Sequence, residues 1–373
     1  MSEYQFVHFL AIDKPLTGEQ LEFMNRQSSR ADISQWEFTN EYHYGDFRGN
    51  AKEMLRQGYD LHLHYANFGI RKLMIRLPAG LPCDRRTFQA FLPEYGVSWH
   101  ADSNGKGGIL EIQPDADAGT YDEVLYELDE LLPRIAPVRE GLMDGDLRLL
   151  YLTWLACNDD EEQLEPPVPA GLSELTPALE AVAELYEVSD DLIAAAAERS
   201  PALPKSAGGQ DWVTGWVAKR SKEELRDLVA RLLGDSAAAV RAETRSRIRD
   251  ESGGQAWLMA APTRTVAELS TAASGIGERR ERKAQQAAEA ARRRRLADIA
   301  ADPRTLISNV EKLVQSRSTA NYERAAKELV DLQEALGPQK GPARARSVAE
   351  NLRRKNPKLN RLVGALRKHG LLD

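Results

Sequence analysis

Residues 60–77, DLHLHYANFGIRKLMIRL, carry the clearest strand pattern of the chain. Residues 60–65 alternate polar and apolar side chains, the period of two that is typical of a half-buried β-strand, and residues 72–77 form a second run of this kind. Asn67-Phe68-Gly69 lies between the two runs and is a turn signal. The stretch therefore predicts a β-hairpin.

Strands and helices are also predicted on both sides of this hairpin. Three further strands are predicted at residues 4–12, 31–40 and 109–112. Thr17 and Gln20 have the spacing of a capping box, which predicts a helix near 18–28, and a short helix is predicted near 50–57. This mixed order indicates a compact α+β domain, and a ferredoxin-like sandwich is one arrangement that it allows.

The apolar residues follow a helical period from residue 121 onward, and no strand is predicted after residue 115. An acidic run and Pro166-Pro167-Val168-Pro169 interrupt this pattern, which predicts an exposed linker there. The predicted organisation is an α+β domain over 1–118, a helical extension over 119–157, an acidic proline-rich linker over 158–170, a short-helix domain over 171–262, a long charged helix over 263–300 and a C-terminal helical bundle over 301–373.

Composition bounds the class of protein. A length of 373 residues predicts two or three domains. The start of the chain lacks the pattern of a secretory leader, and no apolar run has the length of a membrane span. Cys83 and Cys157 are too few for a disulfide framework or a cysteine zinc site. We therefore expect a cytoplasmic protein that does not bind membranes.

The formal net charge of −7 conceals a strong asymmetry between the two halves of the chain. Residues 1–200 contain 16 Lys and Arg against 36 Asp and Glu, a net of −20. Residues 201–373 contain 34 against 21, a net of +13. This asymmetry predicts either an anionic partner for the second half or docking of the two halves on each other.

The charge-dense stretch from Glu278 to Arg295 contains no large apolar side chain, so as a helix it is polar on every side. Three interpretations stay open: a solvated connecting helix, contact with nucleic acid, and docking on an acidic protein surface. The residues predicted to contact such a partner are Arg279, Arg280, Arg282, Lys283, Arg292, Arg293, Arg294, Arg295, Arg353, Arg354 and Lys355. Tyr322 is the one aromatic residue after Leu258, so nucleic-acid contact would be with the backbone and strongly salt-dependent.

Asp60, His62 and His64 alternate along a predicted strand, so their side chains share one face of the sheet. Two imidazoles and a carboxylate are ligands that a divalent metal accepts, and His43 is a candidate for a fourth. The alternative is a polar sheet face with hydrogen-bonded histidines.

Catalytic motifs with a linear signature are absent from the sequence. Gly105-Lys106-Gly107-Gly108 lacks both the earlier glycine and the following Ser or Thr of a phosphate loop, so it predicts a hairpin turn. No Gly-x-Ser-x-Gly, His-Glu-x-x-His or Cys-x-x-Cys pattern occurs. No catalytic residue and no cofactor is predicted.

Several stretches resemble an uncharacterised family of bacterial proteins. They are residues 3–17, 38–47, 65–78, 146–152, 165–169 and 192–201. The resemblance implies a bacterial cytoplasmic protein with no established activity, encoded near SWIM-type zinc-binding proteins and thus part of a multi-protein system. The family pattern has a tyrosine where this chain has His64, which argues against a metal site there.

These observations lead to three hypotheses. The first is a non-enzymatic adaptor that binds other proteins, with the helix from Glu278 to Arg295 as an arm. The second is a nucleic-acid-binding component that uses the basic helical half. The third is a metal-dependent enzyme centred on Asp60, His62 and His64.

Overall fold

A computed structural model describes residues 3–103, 105, 107–115, 128–203, 210–233, 240–241, 243–244, 247–248, 251 and 257–373, with the side chains of 210–213 left aside. The chain divides into an amino-terminal unit, Met1–Gly277, and a carboxy-terminal unit, Glu278–Asp373. The boundary falls inside the helix that the sequence places over 263–300. In the part of the chain that the structure describes, none of the helices combines the length and apolar character needed to cross a bilayer.

A seven-stranded antiparallel sheet is the centre of the amino-terminal unit. Its strands are β1 (Gln5–Leu10), β2 (Asp32–Ile33), β3 (Glu37–Tyr42), β4 (Leu61–Ala66), β5 (Ile70–Pro78), β6 (Val97–Ala101) and β7 (Gly107–Ile112), in the spatial order β2-β3-β1-β4-β5-β7-β6. The predicted hairpin is confirmed, because β4 pairs with β5 from Leu61 opposite Ile75 to Ala66 opposite Ile70. Gly69 turns the chain with a φ of 104°, which favours glycine.

The first part of the sheet has the topology of a ferredoxin-like sandwich. One helix (Gly18–Asn25) follows β1 and another (Ala51–Gln57) follows β3, and in the antiparallel sheet β3 lies between β1 and β2 while β1 lies between β3 and β4. Strands β5, β7 and β6 extend this sheet beyond β4. The strand predicted at 31–40 is instead two strands, because a turn at Ser34 separates β2 from β3. Strand β6 and helix α3 (Arg85–Ala90) were not predicted, since both are short and β6 lies at the edge of the sheet.

Helices cover both faces of the sheet. On one face α1 (Gly18–Asn25) and α2 (Ala51–Gln57) pack on a core that includes Val7, Phe9 and Phe38. On the other face lie α4 (Leu128–Ile135), α5 (Pro137–Asp144), α6 (Arg148–Cys157), α7 (Pro177–Leu185) and α8 (Asp190–Ala197). This second core is the larger and includes Leu63, Leu73 and Ile75.

The segment predicted as an exposed linker over 158–170 is buried in its second half, so that prediction is wrong there. Glu165, Val168 and Ala170 are buried, and β8 (Val168–Pro169) pairs with β9 (Met259–Ala260). The prediction of no strand after residue 115 is therefore also wrong. Burial of Glu165 is tolerated because Arg264 Nη2 lies 2.9 Å from its Oε2, and the Tyr151 hydroxyl donates to the same oxygen.

Two further helices of this unit are α9 (Gln210–Val217) and α10 (Lys222–Leu232). Ser221 and Glu224 form a capping box at the start of α10. No residue of α10 is buried, although Leu225, Leu228, Val229 and Leu232 recur at helical spacing along it.

The carboxy-terminal unit is a helical bundle, as predicted. Helix α11 (Val266–Ala301) runs through the boundary between the units, and it is followed by α12 (Pro303–Gln315), α13 (Thr319–Ala335), α14 (Gly337–Lys355) and α15 (Asn360–Lys368). The bundle has its own core, in which Val310, Leu329, Ala349 and Leu362 are fully buried. Ile299 is the residue of α11 that joins this core.

Candidate functional site

Asp60 is the first of the three residues predicted to bind metal. Its carboxylate forms hydrogen bonds and an ion pair with other residues of the chain. Its Oδ2 accepts hydrogen bonds from the backbone N–H groups of Ile12 and Asp13, at 2.7 and 3.0 Å. Its Oδ1 lies 3.2 Å from Arg139 Nη2. Burial raises the pKa of Asp60, and the charge of Arg139 opposes this. The carboxylate thus links the end of β1 to helix α5.

Arg139 is the centre of this buried network. Its guanidinium donates to both carboxylate oxygens of Asp13, at 3.1 and 2.7 Å, and its Nε donates to the carbonyl oxygen of Arg76 at 2.8 Å. Burial disfavours the charge, but Asp60 and Asp13 outweigh it and raise the pKa of Arg139. The arrangement is a buried charge cluster in which every member is paired.

His62 and His64 have separate hydrogen-bond partners. The ring of His62 is buried, stacks on Phe9 with centroids 4.0 Å apart, and places Nδ1 3.1 Å from the carbonyl oxygen of His8. His64 Nε2 lies 3.0 Å from Gln5 Oε1. Burial lowers the pKa of His62 well below its usual range and that of His64 to about 4. Both imidazoles are neutral at pH 7.

The three side chains do not converge on a common point. The ring centroids of His62 and His64 are 6.3 Å apart, and the carboxylate of Asp60 is held by Arg139 and two backbone amides. His43, the candidate for a fourth ligand, is exposed beside Glu41. Over the described ranges there is no group of three or more His, Cys, Asp or Glu residues that could hold a metal ion.

A polar cluster on β6 and β7 brings together Ser98, His100 and Glu111, residues that the sequence did not connect. His100 Nε2 lies 2.7 Å from Glu111 Oε2 and 3.0 Å from Ser98 Oγ. Burial opposes the charge of Glu111, but the ammonium groups of Lys52 and Lys72, with His100, hold its pKa below the usual range. A linear sequence offers no signal for this cluster, because it depends on the pairing of β6 with β7.

This cluster is not a catalytic triad. In a Ser-His-acid triad the serine and the acid contact different nitrogens of the imidazole: one nitrogen accepts the serine proton, and the acid holds the N–H of the other. Here Ser98 and Glu111 both face Nε2 of His100. The geometry therefore fits a structural polar cluster.

The second predicted site, the basic part of α11, is exposed along its length. Residues 278–298 lie on the surface except for the half-buried Leu296. At 3.6 residues per turn, one stripe about 120° wide holds five cationic side chains. These five form the cationic stripe: Arg279, Arg282, Lys283, Arg293 and Arg294. In the described part of the chain, none of the five forms an ion pair with an acidic side chain.

The opposite face of α11 is held by acidic residues of α13. Arg295 Nη2 lies 2.9 Å from Glu328 Oε2, and its Nε donates to Asp331 at 3.0 Å. Arg292 forms ion pairs with Glu334 and Asp331. Hydrogen bonds and charge from these carboxylates raise the pKa of both arginines. The run of four consecutive arginines thus divides into two that hold the helix on the bundle and two that face solvent.

The remaining predicted contact residues lie outside the stripe. Arg280 falls between the two faces of α11. Arg353, Arg354 and Lys355 are exposed at the end of α14. Lys355 Nζ lies 2.9 Å from Glu311 Oε1, and Arg354 donates to Asn351. The structure does not join these three to the stripe as one continuous row.

The structural boundary also separates charge, and it places most of the positive excess in the 96 residues of the carboxy-terminal unit. The carboxy-terminal unit, residues 278–373, contains 23 Lys and Arg against 12 Asp and Glu, a net charge of +11. The amino-terminal unit, residues 1–277, contains 27 against 45, a net of −18. The small bundle therefore carries a strong positive field of its own.

Comparison with protein-family models finds no match for the chain. Comparisons with curated proteins and with solved structures find none either. Function is therefore inferred from the charge and geometry of the chain's own residues.

Proposed function

We propose that the protein is a non-enzymatic adaptor whose carboxy-terminal unit docks on an anionic macromolecule through the cationic stripe of α11. The observation that supports this proposal is the difference between the two faces of that helix: one face forms ion pairs with the bundle, and the other is exposed. Arg292 and Arg295 are held by Glu334, Asp331 and Glu328, so the helix is anchored without using the stripe.

Anchoring matters because it orients the free cations before any partner binds. A helix held along one side presents the side chains of its other side in a fixed row, which lowers the entropy cost of association. An unsupported helix without an apolar face would not be stable alone, since most helical stability in proteins comes from packing. The ion pairs with α13 and the burial of Ile299 supply that support.

An adaptor needs a second binding surface, and the exposed apolar face of α10 is the candidate for it in the amino-terminal unit. Its apolar side chains recur at helical spacing, yet Val229 is 52% exposed and Leu233, just after the helix, is 84% exposed. An amphipathic helix with an uncovered apolar face is a common element of protein recognition. We assign this face to a protein partner that offers an apolar groove.

Retention of the full-length chain on immobilised heparin tests the stripe. Two double variants remove the same charge from adjacent positions: R293Q/R294Q in the stripe and R292Q/R295Q on the anchored face. The stripe variant should elute at clearly lower salt than the wild type. The anchored-face variant should elute between the two, because it keeps the stripe but loses the ion pairs that orient it. Equal elution of all three proteins would contradict the proposal.

The adaptor role is tested by asking whether the protein binds two partners at the same time. Proteins retained from a lysate by the wild type should be lost with V229D/L233D but kept with R293Q/R294Q, because the two surfaces are separate. Only the wild type should hold those proteins and heparin at the same time. If R293Q/R294Q lost the same proteins as V229D/L233D, the two attachments would not be independent and the adaptor model would fail.

A further inference from the structure

The cationic stripe has two clusters with a gap between them. Arg279, Arg282 and Lys283 form the first cluster, and Arg293 and Arg294 form the second. At 1.5 Å per residue the stripe is about 22 Å long, and about 15 Å separates Lys283 from Arg293. The major groove of a DNA duplex is about 12 Å wide, so a helix lying across it would place one cluster near each wall of phosphates.

The gap itself holds no charged side chain. Gln286 and Ala290 are the residues that face the same direction between the clusters, and Glu289 lies just outside the stripe. Protein interfaces have a buried centre that is rich in apolar and aromatic side chains and poor in charge. Interfaces with nucleic acid are more polar and far more positive. The composition of this face matches the second kind of interface.

The bundle also lacks a platform for unstacked bases. Proteins that bind single strands commonly stack bases on aromatic rings. Tyr322 is the one aromatic residue among residues 278–373, and it is 4% exposed because its ring belongs to the core. A partner that keeps its bases stacked and presents only phosphates fits this surface better.

Resting on the proposed function, we infer that the anionic partner of the cationic stripe is the phosphate backbone of double-helical nucleic acid. Four of the five stripe residues are arginines, whose planar guanidinium groups donate two parallel hydrogen bonds to a phosphate. Contacts with phosphates fix the position of the partner and carry no sequence information, so binding through the stripe depends little on sequence.

The inference predicts how steeply the binding constant falls as the salt concentration rises. Each phosphate neutralised contributes about 0.9 to the slope of log K against log salt for duplex DNA. Five contacts therefore predict a slope of about −4.5, and loss of two contacts lowers its magnitude by about 1.8. At moderate salt the loss corresponds to a roughly 10- to 100-fold weaker affinity. The net charge of −7 on the whole chain opposes binding, so attraction must come from a local surface.

Fluorescence anisotropy with the full-length protein tests the inference. The probes are a labelled duplex of about 24 base pairs, each of its single strands, and labelled poly-glutamate, which stands for an acidic protein surface. The duplex should bind most tightly, with little difference between duplex sequences. R293Q/R294Q should weaken duplex binding as calculated above. The matched R292Q/R295Q keeps all five stripe cations, so it should weaken binding less and leave the salt slope at about −4.5. Thermal unfolding of both variants checks that the bundle stays folded.

The alternative outcomes separate this inference from the proposed function. Stripe-dependent binding of poly-glutamate without binding of the duplex would overturn the inference and leave an adaptor for acidic proteins. Tighter binding of single strands than of the duplex would also overturn it. Equal affinity of both double variants for every probe would overturn the inference and the stripe-based function together.

Discussion

The guanidinium of Arg295 lies 2.9 Å from the carboxylate of Glu328, whereas Arg294, the preceding residue, has no acidic partner in the described part of the chain. Two neighbouring arginines of one helix therefore have different roles. Arg295 should contribute to the stability of the carboxy-terminal unit, and Arg294 should contribute to the binding of a partner.

A double-mutant cycle on Arg295 and Glu328 should show a small coupling energy. Arg295 is about half exposed, so solvent screens the pair and we expect about 0.2 to 1 kcal/mol. R294A should leave the free energy of unfolding unchanged, because no acidic side chain is lost from it. Urea unfolding of the four cycle variants and of R294A measures this. A larger loss for R294A than for R295A would show that the roles are reversed.

Replacing Gly341 by alanine should destabilise the helical bundle by about 1 to 3 kcal/mol. A Cβ at Gly341 would lie 1.9 Å from the carbonyl oxygen of Gln333, so α13 and α14 would have to move apart. G364A in α15 is the matched control, since nothing lies within 4 Å of its Cβ. That change should stabilise the bundle by about 0.5 to 1 kcal/mol. Similar melting temperatures for the two variants would refute the close contact.

Replacing Arg139 by methionine should cost the amino-terminal unit about 3 to 5 kcal/mol. Arg139 is 2% exposed, and its loss leaves the buried carboxylate of Asp60 without a cation and Asp13 with Arg241 alone, whose Nη1 lies 3.9 Å from its Oδ1. R134M is the control, because Arg134 and Glu184 form an exposed pair with atoms 3.5 Å apart. Its effect should stay below about 1 kcal/mol. Denaturant unfolding measures the loss of stability in each variant. If R139M and R134M lowered the free energy of unfolding by the same small amount, the buried charge cluster around Arg139 would not have the stabilising role described.

The stability of the amino-terminal unit should fall as the pH decreases from about 6.5 to about 4. His64 has a pKa of about 4 in the folded protein against 6.5 for a free side chain, so the unfolded state binds more protons across this window. The contribution is present above pH 6.5 and is lost as the pH falls through 4. H64Q removes it and should flatten the pH dependence by about 1 to 3 kcal/mol. Unchanged pH dependence in urea unfolding would show that His64 does not titrate as proposed.

Elements with a strong local signal were predictable from the sequence. The β4–β5 hairpin follows from the strand patterns on either side of Gly69, and the capping box at Thr17 is present as predicted. The carboxy-terminal bundle follows from the helical period of its apolar residues. In each case residues close in the chain determine the element.

The features that were missed depend on residues that are distant in the chain. Glu165 is buried only because Arg264, 99 residues further on, neutralises it, and an isolated acidic proline-rich segment gives no hint of that partner. Strand β6 is only five residues long, and it forms because β7 offers a free edge.

The candidate site shows the same limit. The five cations of the stripe share one side of α11 by helical spacing alone, a relation that the sequence already contained. The choice of which arginines are anchored required α13, because Asp331 and Glu328 lie 36 and 33 residues away from Arg295. Asp60, His62 and His64 alternate as predicted, yet Arg139 and His8 supply their partners from other elements.

The central claim is that the two faces of α11 differ in their availability to a partner. Arginine modification by phenylglyoxal, read residue by residue by mass spectrometry with and without duplex DNA, measures this most directly. Arg293 and Arg294 should react readily in the free protein and be protected by the duplex. Arg292 and Arg295 should react slowly in both states, because acidic residues hold them. Equal reactivity of all four arginines, with no protection by the duplex, would contradict the account.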